Sequence, residues 1–313
     1  MNSSGSSKGV RMIWIVLVMV VLAVASFISG IYVGTVTMGG DSGFVVIDDY
    51  GRAVKISGVP QRIVSVAPTP TEILFAVGAG QQVVGVDNYS DYPAAAAALP
   101  KVGSFSLNIE AIMALNPDLI IAGDLVPLQQ LELISDRGVP YILFADRTLE
   151  DVFKTIRLAG VVTGHVDEAD QLATDLSARV DAITNKTLAD GVSKPKVYVE
   201  YYPMWSYGPG SFGDDLIMLA GGENIAGNAS SEYPMLTNEF IIAQNPDVIV
   251  YTTGVMSTTT TDSIAGRSGW SSITAVSTGN IHSVDDNLLS RYGPRVVDGL
   301  EALAEILHPE LFS

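Results

Sequence analysis

The stretch Glu110-Ala-Ile-Met-Ala-Leu-Asn-Pro-Asp-Leu-Ile-Ile121 returns 129 residues later as Glu239-Phe-Ile-Ile-Ala-Gln-Asn-Pro-Asp-Val-Ile-Val250. Seven of the twelve positions are identical, and three more exchange one apolar residue for another (Met113/Ile242, Leu119/Val248, Ile121/Val250). A self-match at one fixed offset means that the chain contains the same supersecondary unit twice. A carboxylate opens a short helix, Asn-Pro-Asp ends it because proline cannot continue a helix, and a β-branched apolar run then enters a sheet. A second pairing sets Leu74 to Gly80 and Val83 to Gly85 against Leu216 to Gly222 and Ile225 to Gly227, at offset 142. The two offsets differ by 13, so the first copy carries an insertion. Two related α/β lobes are expected, and two lobes imply a cleft.

The chain has 313 residues, enough for two domains with real cores. It has no cysteine, which excludes disulfides, thiolate metal sites, a cysteine nucleophile and a lipid-modified cysteine anchor. The net charge of -17 argues against a nucleic-acid partner, because phosphate binding needs a basic face.

The first forty residues are a different material. Lys8 and Arg11 precede Met12 to Met38, 27 residues without a charge. As a helix this run would span roughly 40 Å, more than a bilayer core of about 30 Å. Positive charge on the short side places residues 1–11 in the cytoplasm and everything after the segment outside. Ala23-Val-Ala25 also fits a signal-peptidase pattern, so a cleaved signal peptide is the rival reading. The continuation of the run through Phe27, Ile28, Ile31, Tyr32 and Val33 favours an uncleaved anchor at 12–37. The protein is then a single-pass membrane protein with its bulk extracytoplasmic. Sequons at Asn88, Asn185 and Asn228 permit glycosylation, although such triplets are common by chance.

Residues 38–61 read as a spacer (Met38 to Gly43) and a hairpin around Asp49-Tyr-Gly51, 62–163 as the first lobe, and 195–313 as the second. Arg62-Ile-Val-Ser-Val-Ala67 is a continuous apolar strand of the kind found in covered parallel sheets. From 164 to 190 the pattern is one long linking helix with apolar Leu172, Leu176, Val180 and Ile183. The expected architecture is α/β, two Rossmann-like lobes joined by one long helix and preceded by a transmembrane helix.

In open α/β sheets ligands sit beyond the carboxyl ends of the strands. Those ends lead into Pro68 and Thr69, the Asp87 to Pro93 segment with Tyr89 and Tyr92, Gly103 to Ser106, the Glu200 to Gly210 segment with Trp205 and Tyr207, Glu232 to Pro234, and Asp285 to Arg295. Aromatics are 8% of the chain yet crowd these loops, which suits a large, flat, partly apolar ligand. Catalytic constellations are thin. His165, His282 and His308 share no metal-ligand spacing, and neither a phosphate-cradling Gly-x-x-x-x-Gly-Lys nor a Gly-x-Ser-x-Gly elbow occurs. The residues therefore predict no enzyme and no protein-held metal or cofactor.

With these residues assembled, the chain resembles the substrate-binding proteins of ABC importers for cobalamin, ferric siderophores and haem. The marks are Asp48 to Val54, Arg62 to Pro68 leading to Thr71-Glu72, Val86 to Pro93, Ile109-Glu110 to Asp118, Gly221-Gly-Glu-Asn-Ile225 and Gly293-Pro-Arg295. The resemblance implies a monomer whose lobes close only slightly on a metal chelate, and whose partners are a permease and its ATPase subunits. Asn88 to Pro93 is similar to a corrin-contacting loop of the cobalamin binders, Phe105 and Tyr233 stand at tryptophan positions, and Arg291 at a cleft arginine. Asn287 stands where an aspartate is usual, and the first-lobe tryptophans are missing. A corrinoid is the expected ligand, with a ferric siderophore or haem as the alternative, and a surface scavenger without a permease as the alternative of another class. The resemblance also assigns Glu110 and Glu239 to docking on the permease, while the residues alone support only first-turn carboxylates stabilised by a helix dipole.

Overall fold

The computed structural model describes residues 33–38, 41–254 and 258–312, and it is an α/β fold with two parallel sheets. The chain divides into two compact units, 1–145 with 154–170, and 146–153 with 171–313.

The first unit opens with an antiparallel meander of β1 (Val33–Met38), β2 (Asp41–Ile47) and β3 (Ala53–Ile56). The turn between β2 and β3 is organised by Asp48, whose buried carboxylate accepts from the N–H groups of Tyr50 (3.1 Å) and Arg52 (2.9 Å). The same carboxylate accepts from the N–H of Leu143 over 3.1 Å, which ties the meander to the main sheet. That sheet contains β4 (Ile63–Ser65), β5 (Val83–Val86), β6 (Leu119–Gly123) and β7 (Tyr141–Phe144) in the order β5-β4-β6-β7, all parallel. Ile120, Ala122 and Leu143 of this sheet pack with Ile112, Leu131 and Ile134 from its helices.

The second unit repeats the plan. Its strands β8 (Lys196–Glu200), β9 (Glu223–Asn224), β10 (Val248–Thr253) and β11 (Ile281–Asp285) lie in the order β11-β10-β8-β9, again all parallel. Counted along the chain, both sheets run second, first, third, fourth strand. The sequence repeat occupies the same place in each, as the helix before the third strand and that strand itself: Ile109–Ala114 with β6, and Asn238–Gln244 with β10.

The repeat residues do the same work twice. Asn108 and Thr237 cap the two helices, accepting from Ala111 N–H (3.0 Å) and Phe240 N–H (3.2 Å). Asn116 and Asn245 then leave the helices in the left-handed region, at φ 47° and 50°, which asparagine tolerates better than most residues. After the proline, the aspartate reaches the start of the first strand. Asp118 accepts from Gln61 N–H (2.7 Å) and Arg62 N–H (3.0 Å), and Asp247 from Lys196 N–H (2.9 Å).

Two departures from the sequence reading stand out. The segment 38–43 is not a free spacer, and the anchor does not extend to 37, because β1 pairs with β2 from Val33↔Val46 to Met38↔Asp41. The β-branched Val33, Thr35, Val36 and Thr37 favour a strand there. The rest of the anchor, 12–32, lies outside the described residues, and no helix among the described residues is long and apolar enough to cross a membrane. In the second unit β9 is only Glu223–Asn224, and the Asn224 side chain donates to Tyr207 O (2.8 Å) and Asp214 Oδ1 (2.7 Å). The long helix is Val166–Thr187, and the division between the units falls inside it.

The left-handed asparagine and the aspartate bonds give a direct stability test. Asn116→Gly should leave the melting temperature nearly unchanged. Asn116→Ala should cost about 1–2 kcal/mol, since a Cβ without a compensating side-chain polar group is poorly placed there. Asp118→Ala should cost about 1 kcal/mol, two charge-assisted bonds discounted for exposure, with urea unfolding as the measurement.

Candidate functional site

The carboxyl ends of β4, β5 and β6 gather the first unit's candidates. Pro68 and Thr69 begin the helix Pro68–Ala76 directly after β4 and are partly exposed. Tyr89 and Tyr92 follow β5 and expose 54% and 45% of their surfaces, and Phe105 exposes 66%. Tyr89 and Phe105 meet edge to face, with ring centroids 6.1 Å apart.

A buried polar knot holds this loop. Asp87, at 1% exposure, accepts from Tyr89 N–H (3.0 Å), Ser104 Oγ (3.0 Å) and the Ser90 hydroxyl. Thr71 Oγ1 sits 2.7 Å from Ser65 Oγ and 2.8 Å from Ser90 Oγ, joining helix, strand and loop. Lys101 Nζ donates to Ser90 O over 2.6 Å. Gln130 fixes the neighbouring turn, accepting from Leu107 N–H (2.6 Å) and donating to Phe105 O (3.0 Å). Thus rings that a free chain would bury are held in water by bonds made behind them. Leu125, 75% exposed just beyond β6, belongs to the same strand-end set and was not among the sequence candidates. The strand-end rule, applied to β6 as well, reaches it.

In the second unit the rings of Tyr201, Tyr207 and Tyr233 form one cluster, with centroids 5.0, 6.2 and 6.4 Å apart. Only part of it faces solvent. Tyr233 is 40% and Tyr202 48% exposed, Trp205 is half-buried, and Tyr207 is 4% exposed. Tyr207 thus forms the floor of the cluster. Gly213 makes room for it, since a Cβ there would meet the ring at 2.2 Å. Burial, aided by Asp286 nearby, pushes the Tyr207 phenol far above its ordinary value, so it stays neutral. Tyr202 is absent from the sequence candidates, although it lies in the loop they marked.

Asn287 and Arg291 lie in the segment after β11. Asn287 is in the helix Asp286–Ser290, its N–H (3.0 Å) and Nδ2 (2.9 Å) both donating to Asp285 Oδ1. Asp285 is the cap of this helix, and Asn287 donates to it twice. Arg291 ends that helix and is partly exposed, and the adjacent Tyr292 stacks on Phe212 at 4.1 Å. Asp286, half-buried beside Asp285, is raised above the usual carboxylate range chiefly by burial. Exposed Arg147 and Glu232 face each other at 3.4 Å.

Beneath the tyrosines lies a buried ion pair that no sequence pattern marks. Glu200, the last residue of β8 and wholly buried, takes Arg267 Nη1 on Oε2 (2.6 Å) and Nη2 on Oε1 (2.7 Å). Tyr198 Oη (2.8 Å) and Thr259 Oγ1 (3.0 Å) also donate to it. Burial alone would raise the Glu200 carboxyl, but Arg267's bonds and charge outweigh it and hold the group below its ordinary value. Glu110 and Glu239 differ from it completely. Each is exposed in the first turn of its helix and makes no hydrogen bond or ion pair among the described residues. No group of three or more His, Cys, Asp or Glu able to hold a metal ion occurs among the described residues.

Residues 63–288 match the family model described as periplasmic binding protein. An uncharacterised ABC transporter substrate-binding lipoprotein of Bacillus subtilis is 31% identical over 277 residues, 86% of this chain and 87% of that one. A cobalamin-binding protein of Halobacterium salinarum is 29% identical over 271 residues, covering 83% and 73% of the two chains. Among solved structures, the apo periplasmic haem-binding protein of Roseiflexus sp. RS-1 aligns with a TM-score of 0.72 at 30% identity, over 80% of this chain and 99% of that one. The periplasmic vitamin B12 binding protein of Vibrio cholerae aligns with a TM-score of 0.69 at 26% identity, over 80% and 97%.

The Glu200 pair has a pH signature. A depressed carboxyl contributes stability that is fully present above the unfolded value of 4.5 and is lost as pH falls through the lower folded value. Glu200→Gln should lower the melting temperature at pH 7, and its further decline on acidification below 4.5 should be shallower than that of the unaltered protein. Parallel declines in a pH-resolved calorimetric series would contradict the assignment.

Proposed function

We propose that this chain, which belongs to the periplasmic binding protein family, captures a metal chelate outside the cytoplasm and delivers it to an ABC permease and its ATPase subunits. The observation that carries the reading is the exposure of large aromatic rings at the carboxyl ends of the parallel strands, above all Tyr89, Tyr92 and Phe105 in one unit and Tyr202 and Tyr233 in the other. Such rings are costly to leave in water and suit a broad, partly apolar ligand face. Pro68, Thr69 and Trp205 border them, and Asn287 and Arg291 supply polar anchors. The chelator already satisfies its metal, so recognition needs no protein-held metal and no turnover.

A corrinoid is the ligand we favour, supported by the likeness to a cobalamin-binding and a vitamin B12 binding protein. Haem is the second reading, favoured by the likeness to a haem-binding protein at 30% identity. The two lobes, 62–163 and 195–313, would act as one monomer joined by the helical segment 164–190.

The N-terminal sequence supports membrane attachment as part of this reading. The relative from Bacillus is named a lipoprotein, but this chain has no cysteine to carry a lipid. Met12 to Tyr32 is an uncharged run of 21 residues, about the 20 needed to span a bilayer, and it would serve as the anchor. Glu110 and Glu239, exposed at matched positions of the two repeats, would meet basic residues of the permease.

Titration of the full chain in detergent with cyanocobalamin, haemin and a ferric hydroxamate should show cobalamin binding at about micromolar Kd or tighter. Binding of only haemin or only the hydroxamate would reassign the ligand, and binding of none would overturn the function. Glu110→Ala combined with Glu239→Ala should abolish uptake in cells while leaving chelate affinity intact. Loss of affinity in that variant would overturn the docking role.

A further inference from the structure

After β8 the chain reverses at Tyr202-Pro203-Met204-Trp205. The Trp205 N–H donates to Tyr202 O over 2.7 Å, proline holds the second position, and Met204 holds the third with φ 70°. This is a type II turn, whose third position ordinarily takes glycine or asparagine because the left-handed backbone crowds a Cβ. Methionine there is strained, and strain of this kind persists only where the surroundings over-determine the conformation.

The surroundings are specific. The Met204 N–H donates to Glu200 Oε2 over 3.1 Å, and its carbonyl accepts from Leu236 N–H over 2.8 Å. Glu200 cannot swing away, since it is wholly buried and gripped by both arms of Arg267, by Tyr198 and by Thr259. Arg267 is in turn backed by the Trp270 ring, 4.5 Å from its guanidinium. The turn presents exposed Tyr202 and half-buried Trp205, and Trp205 also bridges to Met235.

We infer that the buried Glu200–Arg267 pair is a positioning device, which clamps Met204 into a left-handed turn and so sets the pose of Tyr202 and Trp205 at the end of β8. Glu200 itself touches no ligand. The clamp stands on the turn geometry, and only its effect on affinity rests on the proposed chelate function. The Met204 side chain also packs on the core, with its Sδ 3.8 Å from Arg267 Nη1, so glycine at 204 would deepen the loss of a carboxylate that merely stabilised the core. With the clamp it offsets that loss, because glycine takes the turn's φ without help.

The test uses the full chain in detergent without ligand, read by hydrogen exchange of peptides covering 201–208. Glu200→Gln should speed exchange there about tenfold, with peptides of the first unit unchanged. Adding Met204→Gly to Glu200→Gln should slow it again toward the original rate. Cyanocobalamin titration should follow the same order, weaker in the single variant and restored in the double. Unchanged exchange in a folded Glu200→Gln protein, or failure of glycine to restore it, would overturn the clamp. If Glu200→Gln does not fold, Met204→Gly compared with Met204→Ala decides, since both remove the side chain that packs on the core: a higher melting temperature for glycine supports stored strain, and an equal or lower one refutes it. If cyanocobalamin does not bind the unaltered protein, the ligand choice fails while the exchange data still judge the clamp.

Discussion

The structure hangs on a short bridge made twice, an aspartate that follows a helix and bonds the backbone at the start of the first strand of its sheet. Asp118 and Asp247 occupy this place in their units, reaching Gln61 and Arg62 in one and Lys196 in the other. The bridge sets the third strand beside the first, with the first strand's far neighbour already decided by the helix that joins it to the second. One side chain thereby fastens the third strand to the first, and both units share the same strand order. Because the strands are parallel and start together, their carboxyl ends also finish together, and the loops that carry the exposed rings share one edge.

At that edge of its own sheet each unit uses a buried carboxylate to hold a loop, in different surroundings. Asp87 is met by hydroxyls and a backbone N–H, with no cation among the donors. Glu200 is met by a guanidinium with two bonds. Isolated buried charge is expensive, and neutral donors or a cation can each offset the cost if enough of them converge. In both cases the carboxylate also accepts from the loop backbone, at Tyr89 N–H and at Met204 N–H. The rigidity of the aromatic loops is thus bought by polar groups that never see solvent.

Much of this was legible in the residues. The repeat named the helix–strand unit in each lobe, Asn-Pro-Asp marked where the helices end, and apolar runs marked the covered strands. What was not legible depended on distance. Glu200 and Arg267 are separated by 66 intervening residues, and nothing local to either signals the other. Tyr207 and Tyr233 read alike in sequence, but the space above Gly213 sinks one of them and leaves the other in water. The first strand hid in an uncharged run, since β-branched residues suit both a bilayer and a sheet, and only pairing with β2 separates the two uses.

The asparagines of the bridge have a chemical consequence as well as a geometric one. An asparagine in the left-handed region at the edge of a turn is ordinarily a site of slow ageing, because the next residue's backbone nitrogen attacks the side-chain amide and releases ammonia through a cyclic imide. After Asn116 and Asn245 the next residue is proline, whose nitrogen carries no hydrogen to lose. The ring-closing route is therefore shut at both positions. The two bends that follow the repeat helices are thus shielded from deamidation by their own neighbours.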